Sequence, residues 1–496
     1  MASVLPSNLS FFMSRMQGVS TSHFKINPQT SGDVGPNRIL RFEIPSNTIV
    51  NYRSLRLFMN VECSNTSAKA TSLPNDISSL IERVSIYIGG VLVANGFNGY
   101  NTFVHAKAAL QGYKCGALAH PEMVRRKRYH SFLDSGNANA VLGSTAVETY
   151  AGDSAGNDFY CIDNFEGFLG SIEPQCLDQG LIGTTVIEIS IADNTVCSVS
   201  DSRDLPTLQT DVYQVLGSAG FDMLTASSGG SPTFTLKNIN MQVEVLSLAT
   251  NVLDTIVEQR IGQIGYLSLP FKNIFSFSNT HDGSTRFNCN SASWDRVWFA
   301  FREKEFANVA APVRVKGYKC AGAFTAATSN GATTGVDVGS PEYDVGGTLN
   351  TNAEKYKPFY FNFREPKTLL GTHAIPTATT PTVGTTYQLQ INSASVPNYR
   401  LTAPELYAMS MNSLDYYDKN HKITLHQYKC NYFVGCMRLC LPDSDYSRLG
   451  SGLDCRGVSS SCSINTTGLA QSNLTIFCEC TSELRIGAGR QIEIIV

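Results

Sequence analysis

The segment GDSAG, residues 152–156, has the residue types and spacing of a serine nucleophile. In a G-x-S-x-G motif, a strained turn between a buried strand and a helix exposes the serine hydroxyl for attack. The flanking residues 147–150 (VETY) and 157–160 (NDFY) supply neither the apolar strand nor the helix. We therefore interpret Ser154 as part of a polar loop, and a hydrolase is the remotest function considered.

The other residues that could do chemistry are scattered along the chain. The eight histidines form no HExxH pair, and no Gly-Lys-Ser/Thr segment marks a phosphate-binding loop. Glu303 and Glu305 would share one face of a strand, where paired carboxylates are usually solvated. We predict that the chain is not an enzyme and that it needs no cofactor.

The cysteines also lack the spacing of a chemical site. Fourteen cysteines in 496 residues are too few for a disulfide scaffold, and seven of them follow residue 429. No CxxC pair is present, so a zinc site has little support. Cys478 and Cys480 share one face of a predicted strand and cannot bond to each other. We expect free thiols that pack as small core residues in a reducing compartment.

Composition and charge exclude several classes of protein. Hydrophobic residues make up 42% of the chain and charged residues only 16%, which excludes a disordered chain and argues against a helical bundle. The net charge of -3 excludes a protein that coats nucleic acid through an overall positive charge. The sequence has no run of 18 apolar residues, and residues 1–12 lack the basic start of a secretory signal. We expect a soluble protein that is made in the cytosol.

Alternation of apolar and polar residues with a period of two dominates the patterned segments, which is typical of half-buried β-strands. The clearest alternating runs are residues 40–44, 55–61, 84–88, 187–191, 239–245, 297–301 and 492–496. Helical periodicity predicts only two short helices, at residues 100–110 and 252–261. Many strands, long polar loops and few helices describe β-sandwiches, and the length fits two domains of roughly 200–250 residues each.

A weak internal repeat supports two domains. Residues 41–46 followed by 52–58 align with residues 286–291 followed by 294–299, at an offset of about half the chain. In both copies an arginine opens a strand, a turn follows, and a second strand begins. The repeat indicates a duplicated domain.

Three further segments carry a resemblance to a known family. Residues 80–93 (LIERVSIYIGGVLV) contain a strand that ends in Ile-Gly-Gly and turns back, residues 240–277 join a strand, a short helix and another strand, and residues 439–476 close the pattern. Together they resemble the double jelly-roll major capsid proteins of double-stranded DNA viruses. In size and style the sequence is most similar to those of virophages, polinton-like viruses and adintoviruses.

The resemblance implies an all-β fold of two consecutive eight-stranded jelly rolls, with short helices in the linker and loops. On this basis we predict an N-terminal arm over residues 1–35 and a first jelly roll over 36–247. A helical linker over 248–265 and a second jelly roll over 266–496 follow.

The resemblance also implies a function. The chain would form a homotrimer, a pseudo-hexagonal capsomer that tiles an icosahedral shell together with penton and minor capsid proteins. Viral double-stranded DNA would be contacted only indirectly or through a local basic patch, and the resemblance leaves an internal membrane open. The protein would reside in the virion and assemble in the host cytoplasm or nucleus. The competing hypothesis is a soluble β-sandwich protein that binds carbohydrate, such as a lectin or adhesin.

Trp294 and Trp298 are candidates for packing between domains or subunits. On an alternating strand both would lie on the face opposite Val297, Phe299 and Phe301, so that the strand is covered on both sides. We interpret one side as core and the other as packing against the sister jelly roll or a neighbouring subunit. Burial under a loop is the alternative.

Arg125, Arg126, Lys127 and Arg128 form the dense basic run of the sequence. The run could face inward and contact DNA, act as a nuclear import signal, or contact an acidic neighbour in the shell. A solvated loop is the alternative interpretation.

The proposed arm is apolar rather than basic at its start. It contains Phe11, Phe12, Met13 and Met16, which could dock on a neighbouring capsomer or on a membrane-associated protein. A disordered tail is the alternative.

Overall fold

The computed structural model describes residues 19–111, 159–200, 232–248, 261–302, 385–414, 433–440 and 452–496, apart from short gaps within these ranges, together with Gln259, Phe363, Leu425 and Tyr428. The strands of the first half are β1 (Val19–Ile26), β2 (Ile39–Glu43), β3 (Ile49–Asn65), β4 (Ala70–Ser72), β5 (Ile81–Ile88), β6 (Val91–Ala94), β7 (Phe159–Ile162), β8 (Cys176–Asp178), β9 (Thr185–Ile191), β10 (Ser198–Ser200) and β11 (Pro232–Leu248).

The strands of the second half are β12 (Tyr266–His281), β13 (Ser284–Asn288), β14 (Trp294–Arg302), β15 (Thr386–Ile391), β16 (Ala394–Leu401), β17 (Val434–Arg438), β18 (Ser461–Thr467), β19 (Ser472–Gly487) and β20 (Ile492–Ile495). The helices are α1 (Tyr100–Gln111), α2 (Phe168–Ser171), α3 (Gln179–Ile182) and α4 (Ala403–Ser413), with 3-10 turns at Ile77–Leu80 and Asn194–Val196.

Both halves have the same sheet topology. The first half forms one sheet in the order β1-β11-β3-β7 and a second in the order β2-β9-β5-β6, with β8 added beside β3. The second half forms sheets in the orders β12-β19-β14-β17 and β13-β18-β15-β16, with β20 added beside β19. Each half therefore contains two rows of four antiparallel strands in the same connection order, which confirms the two eight-stranded jelly rolls that the sequence predicts.

The two sheets of each half enclose a core between them. The Tyr52 hydroxyl on β3 donates a hydrogen bond to Thr185 Oγ1 on β9 over 2.9 Å. In the second half, the rings of Phe301 on β14 and Tyr387 on β15 lie 5.9 Å apart. Such contacts join the opposite sheets of each sandwich.

The internal repeat coincides with equivalent strands. β2 and β13 each have the alternation exposed, buried, exposed, buried, exposed. Arg41 and Arg286 are exposed in them, while Phe42 and Phe287 are buried. The two copies match because a strand at this position must bury one aromatic ring and expose the preceding residue.

The long ladders of the two halves differ in regularity. β12 pairs with β19 without interruption from Tyr266–Gly487 to His281–Ser472. The pairing of β11 with β3 is interrupted by two shifts of register, at Lys237/Asn240 and Gln242/Glu244. The first ladder is therefore bent at two points where the second is continuous.

Other expectations have mixed outcomes. α1 confirms the helix predicted at residues 100–110, whereas α4 was not predicted. Of the predicted linker helix, Gln259 and residues 261–264 are described and helical. β1 falls within the predicted arm and pairs along its whole length with β11; the domain limits remain predictions. None of the helices in the described ranges has the length and apolar character needed to cross a bilayer.

Candidate functional site

The central strand of the second half is buried on both of its faces. In β19, residues 474–480 are all buried, although alternate side chains point in opposite directions. Cys478 and Cys480 point into the core of the second sandwich. Phe477 and Glu479 point toward the first half, where Phe477 contacts the rings of Phe97 and Phe103. The outer face of this sheet is therefore an interface between the two halves, and we take that interface as the candidate functional site.

Four aromatic rings form the apolar part of this interface. Phe103 on α1 lies 5.2 Å from the ring of Phe477 and 6.0 Å from the ring of Trp298, both in edge-on geometry. Phe97, which precedes α1, lies 5.9 Å from Phe477 and 5.4 Å from Phe103. Edge-on contacts of this kind add to the stabilisation that burial of the rings gives.

The start of α1 is fixed by contacts outside the helix. Gly99 has a φ of 77°, a conformation that favours glycine, and this lets the chain turn between Phe97 and the helix. Glu82 on β5 accepts hydrogen bonds from the Gly99 backbone N–H at 2.9 Å and from Asn101 Nδ2 at 3.0 Å. These bonds set the direction in which α1 presents Phe103.

A second contact between the halves lies at β12. The rings of Phe168 on α2 and Phe271 on β12 are 5.0 Å apart. The Lys272 backbone N–H donates to Ser171 Oγ over 2.7 Å, and the Glu173 backbone N–H donates to the Pro270 carbonyl over 3.1 Å. The halves are thus joined by polar bonds as well as by aromatic rings.

A buried carboxylate stands beside the aromatic cluster. Glu479 accepts hydrogen bonds from Trp298 Nε1 at 3.0 Å and from Arg296 Nη1 at 3.3 Å. Burial by itself would raise the pKa of Glu479, but the positive charges of Arg296, Lys107 and Lys272 lower that pKa to about 2. Lys107 belongs to α1, so a cation of the first half helps to keep a carboxylate of the second half ionised.

A second ion pair lies nearby and shares strand β14 with the first. Lys272 Nζ is 2.5 Å from Asp295 Oδ2, which also accepts a hydrogen bond from Thr481 Oγ1 at 2.6 Å. Ser293 Oγ donates to the other oxygen, Oδ1, over 2.9 Å. Burial raises the pKa of Asp295, and the charge of Lys272 opposes that rise. Both carboxylate oxygens are bonded, as a buried charge requires.

This arrangement can hold two domains in one orientation. Its apolar part excludes water, and its charged part is satisfied only when the strands and α1 keep their positions. In the described part of the chain, no group of three or more His, Cys, Asp or Glu side chains could hold a metal ion. The contacts described above are those of packing and fixed charge.

The structure separates the two tryptophans that the sequence analysis placed on one face. A shift of register between Trp294 and Arg296 leaves Asp295 as an extra residue in β14. Trp294 consequently pairs with Cys480 and packs edge-on against Phe287, at 6.0 Å, inside the second sandwich. Trp298 faces the first half. The expectation of a shared face was wrong, because a bulge reverses the alternation of side chains.

The remaining candidate residues lie outside the described part of the chain. They are the basic run Arg125, Arg126, Lys127 and Arg128, the apolar residues Phe11, Phe12, Met13 and Met16, and Ser154 with its flanks. Their roles stay predictions.

Sequence analysis missed the residues that hold the interface together. Glu479 carries a usable signal, since a lone carboxylate within the buried run LTIFCEC must have a partner. Phe103 carries none, because an aromatic residue on a short helix is as well explained by packing within its own domain.

Comparison with known proteins identifies the architecture. No family model and no curated protein matches the sequence. The PBCV-1 virus capsid structure matches at a TM-score of 0.51 and 10% identity, over 97% of this chain and 98% of that chain. The chain has the double jelly-roll fold. The Faustovirus major capsid protein matches at a TM-score of 0.48 and 9% identity, over 96% of this chain and 94% of that chain.

The Sputnik virophage structure matches at a TM-score of 0.45 and 12% identity, over 97% of this chain and 89% of that chain. The finer expectation, a virophage, polinton-like or adintovirus protein, stays a prediction.

Proposed function

We propose that this chain is a major capsid protein that forms trimeric, pseudo-hexagonal capsomers and tiles an icosahedral virus shell. The observation that carries the proposal is the repetition of one eight-stranded topology in a single chain. Three such chains around a threefold axis present six similar lobes, and six lobes make a tile that can pack on all sides. The fold shared with the PBCV-1 virus capsid structure supports this proposal.

The fixed interface between the halves also supports the proposal. A tile keeps its hexagonal outline only if the two lobes of each chain stay in one orientation. Aromatic rings and the hydrogen bonds of Ser171 and Glu173 to β12 join the lobes across the interface, and they provide no means of turning over a substrate. A catalytic role is not part of the proposal.

We further propose the domain limits and partners that follow from this function. The jelly rolls would span residues 36–247 and 266–496, joined by the linker 248–265, and the arm 1–35 would add β1 to the first of them. The part of the arm that precedes β1 would reach a neighbouring capsomer or a membrane-associated protein. Penton and minor capsid proteins would complete the shell. The basic run at residues 125–128 would supply whatever local DNA contact or import signal the protein has. The protein would act in the virion after assembly in the host cytoplasm or nucleus.

Size-exclusion chromatography with light scattering tests the proposal on the purified full chain. We expect a stable trimer, with a mass near three times 53.9 kDa, and negative-stain images that show hexagonal outlines. A monomer that binds oligosaccharides on a glycan array would contradict the proposal and would favour the carbohydrate-binding alternative. A monomer that binds no sugar would contradict both.

A further inference from the structure

Five cysteines meet in the core of the second sandwich, although they come from separate segments of the chain. They are Cys289, which follows β13, Cys455, Cys462 on β18, and Cys478 and Cys480 on β19. All five are buried. Neighbouring thiols that are distant in sequence can become cross-links if their sulfur atoms approach closely enough.

Cys289 and Cys480 have the required approach. The Sγ atoms of Cys289 and Cys480 are 3.8 Å apart and both side chains are almost fully buried. A disulfide needs about 2.05 Å between sulfurs, so these atoms are in van der Waals contact and side-chain rotation can close the gap. Cys478 cannot take the place of Cys289 as the partner of Cys480, since it is two residues away on the same strand.

The environment of Cys289 and Cys480 slows their oxidation. The hydrogen bond with Cys478 and burial raise the pKa of the Cys289 thiol, and the hydrogen bond with Cys289 and burial raise that of Cys480. Thiols react as thiolates, so both groups react slowly while the segment is closed. This keeps the pair reduced where glutathione and thioredoxin are reduced.

Access to the pair depends on one short segment. Cys289 lies between Asn288 and Asn290, both of which are exposed, so the segment that carries it lies at the surface of the second sandwich. Backbone hydrogen bonds hold residues 291–293 in place: Cys455 N–H to the Ser291 carbonyl, Ala292 N–H to the Val496 carbonyl, and Thr481 N–H to the Ser293 carbonyl. Local opening of these bonds exposes Cys289 without unfolding either sandwich.

We propose that Cys289 and Cys480 form an intrachain disulfide when the protein meets a low-molecular-weight disulfide such as oxidised glutathione. Cys289 loses its proton and attacks one sulfur of the oxidant, which forms a mixed disulfide and releases one small thiol. Cys480 then loses its proton, attacks the Cys289 sulfur and displaces the second small thiol. Two protein thiols are oxidised, one oxidant molecule is reduced to two thiols, and these carry the two protons.

The bond would fasten the segment between β13 and β14 to the central strand β19. It joins residues 191 positions apart in sequence, so it restricts the unfolded chain strongly. The cross-link does not depend on the proposed capsid function, because it concerns the folding of one chain. A protein that passes from a reducing cell to an oxidising exterior would become more stable on the way.

Peptide mapping of the wild-type protein tests the proposal directly. The full chain is purified reduced, incubated with excess oxidised glutathione below its melting transition, alkylated, and digested without reduction. We expect a peptide pair that joins Cys289 to Cys480, and a melting midpoint about 5–10 °C above that of the reduced sample. Dithiothreitol should reverse both changes.

Serine variants separate this bond from other oxidation. Cys289→Ser and Cys480→Ser should each abolish the rise in melting midpoint, whereas the matched variant Cys455→Ser, in the same cluster, should keep it. If a variant fails to fold, the peptide map of the oxidised wild-type protein still shows whether Cys289 is joined to Cys480. Recovery of both residues as alkylated free thiols, or of Cys289 joined to any other cysteine, would overturn the proposal.

Discussion

The two jelly rolls share a topology but use the same sheet in different ways. In the first half, the central strand β11 alternates buried residues with partly exposed ones, and its neighbour β1 is exposed along most of its length. In the second half, the equivalent strand β19 is buried on both faces from Leu474 to Cys480. The difference arises because α1 of the first half covers the second sheet. Among the described residues, the same fold therefore gives one sheet face that is partly exposed and one that forms an interface.

The largest expected effect on stability comes from truncating Phe103, the residue through which α1 covers the sheet of the second half. Phe103→Ala removes the ring that touches both Trp298 and Phe477, and truncation of a buried Phe costs about 4 kcal/mol. We expect a lower melting midpoint in calorimetry and a split of one transition into two, because the halves lose their shared core. Phe24→Ala, on the exposed strand β1, is the matched control and should change little. Equal effects of the two variants would show that α1 does not couple the halves.

The next effect concerns the buried charge of the covered sheet. Glu479→Gln leaves Arg296 without its counter-charge in a buried site, which costs about 3 kcal/mol. Urea denaturation of the variant should show that loss. Glu244→Gln on β11 is the comparison, since Glu244 lies on the face that stays partly exposed and accepts a bond from Asn51 at 3.0 Å. If Glu244→Gln lowered the free energy of unfolding as much as Glu479→Gln, the buried face of β19 and the partly exposed face of β11 would not differ in this respect.

A pH-dependent difference should distinguish the equivalent strands β1 and β12. His281, at the end of β12, is bonded to Thr285 and Thr466 through its two ring nitrogens, at 2.7 and 2.6 Å. Burial lowers the pKa of His281 to about 4 from 6.5, and Asp282 opposes the change. His281 is therefore neutral in the folded protein at neutral pH. The contribution of neutral His281 to the free energy of unfolding is complete above pH 6.5 and is lost as the pH falls toward 4.

Between pH 7 and pH 5 the protein should lose about 2 kcal/mol of stability through His281. Denaturation at several pH values measures this slope, and His281→Gln should flatten it. Phe24→Ala on the exposed strand β1, which removes no titrating group, should leave the slope unchanged. Glu479 does not contribute in this range, because its folded pKa of about 2 confines its loss of stability to pH below about 4.5. A slope that survives His281→Gln would contradict the assignment.

The smallest effect compares the equivalent helices α1 and α4. α4 begins with a local capping box, in which Thr402 and Glu405 bond reciprocally. The start of α1 instead depends on Glu82, a residue from β5. Thr402→Ala should therefore cost about 1 kcal/mol and leave the coupling of the halves intact in calorimetry. A split transition in this variant would show that α4 also takes part in the coupling.

The sequence alone predicts the strands well, because alternation survives wherever one face is buried. Arg41–Phe42 and Arg286–Phe287 even reveal the duplication, since each strand exposes the arginine and buries the phenylalanine. The helix α4 was missed although Thr402, Pro404 and Glu405 form a recognisable start signal.

The interface could not be predicted from sequence for a physical reason. Its partners, such as Phe103 and Phe477, lie hundreds of residues apart, and each has an acceptable explanation within its own domain. The bulge at Asp295 adds a second difficulty, because one inserted residue reverses the faces of Trp294 and Trp298. An alternating pattern predicts the strands, but tertiary contacts and bulges determine which residues meet across the interface and which face each side chain occupies.

The unbroken ladder between β12 and β19 has a mechanical consequence. When antiparallel strands are pulled lengthwise past each other, the bonds of a regular ladder bear the load together, whereas a bend concentrates it on a few. The β11–β3 pairing has two such bends, whereas its counterpart in the second half, β14–β19, has one, at Asp295. Under tension we therefore expect the first sandwich to yield before the second. A wall built from this chain would then deform on the side of one lobe while the other kept its shape.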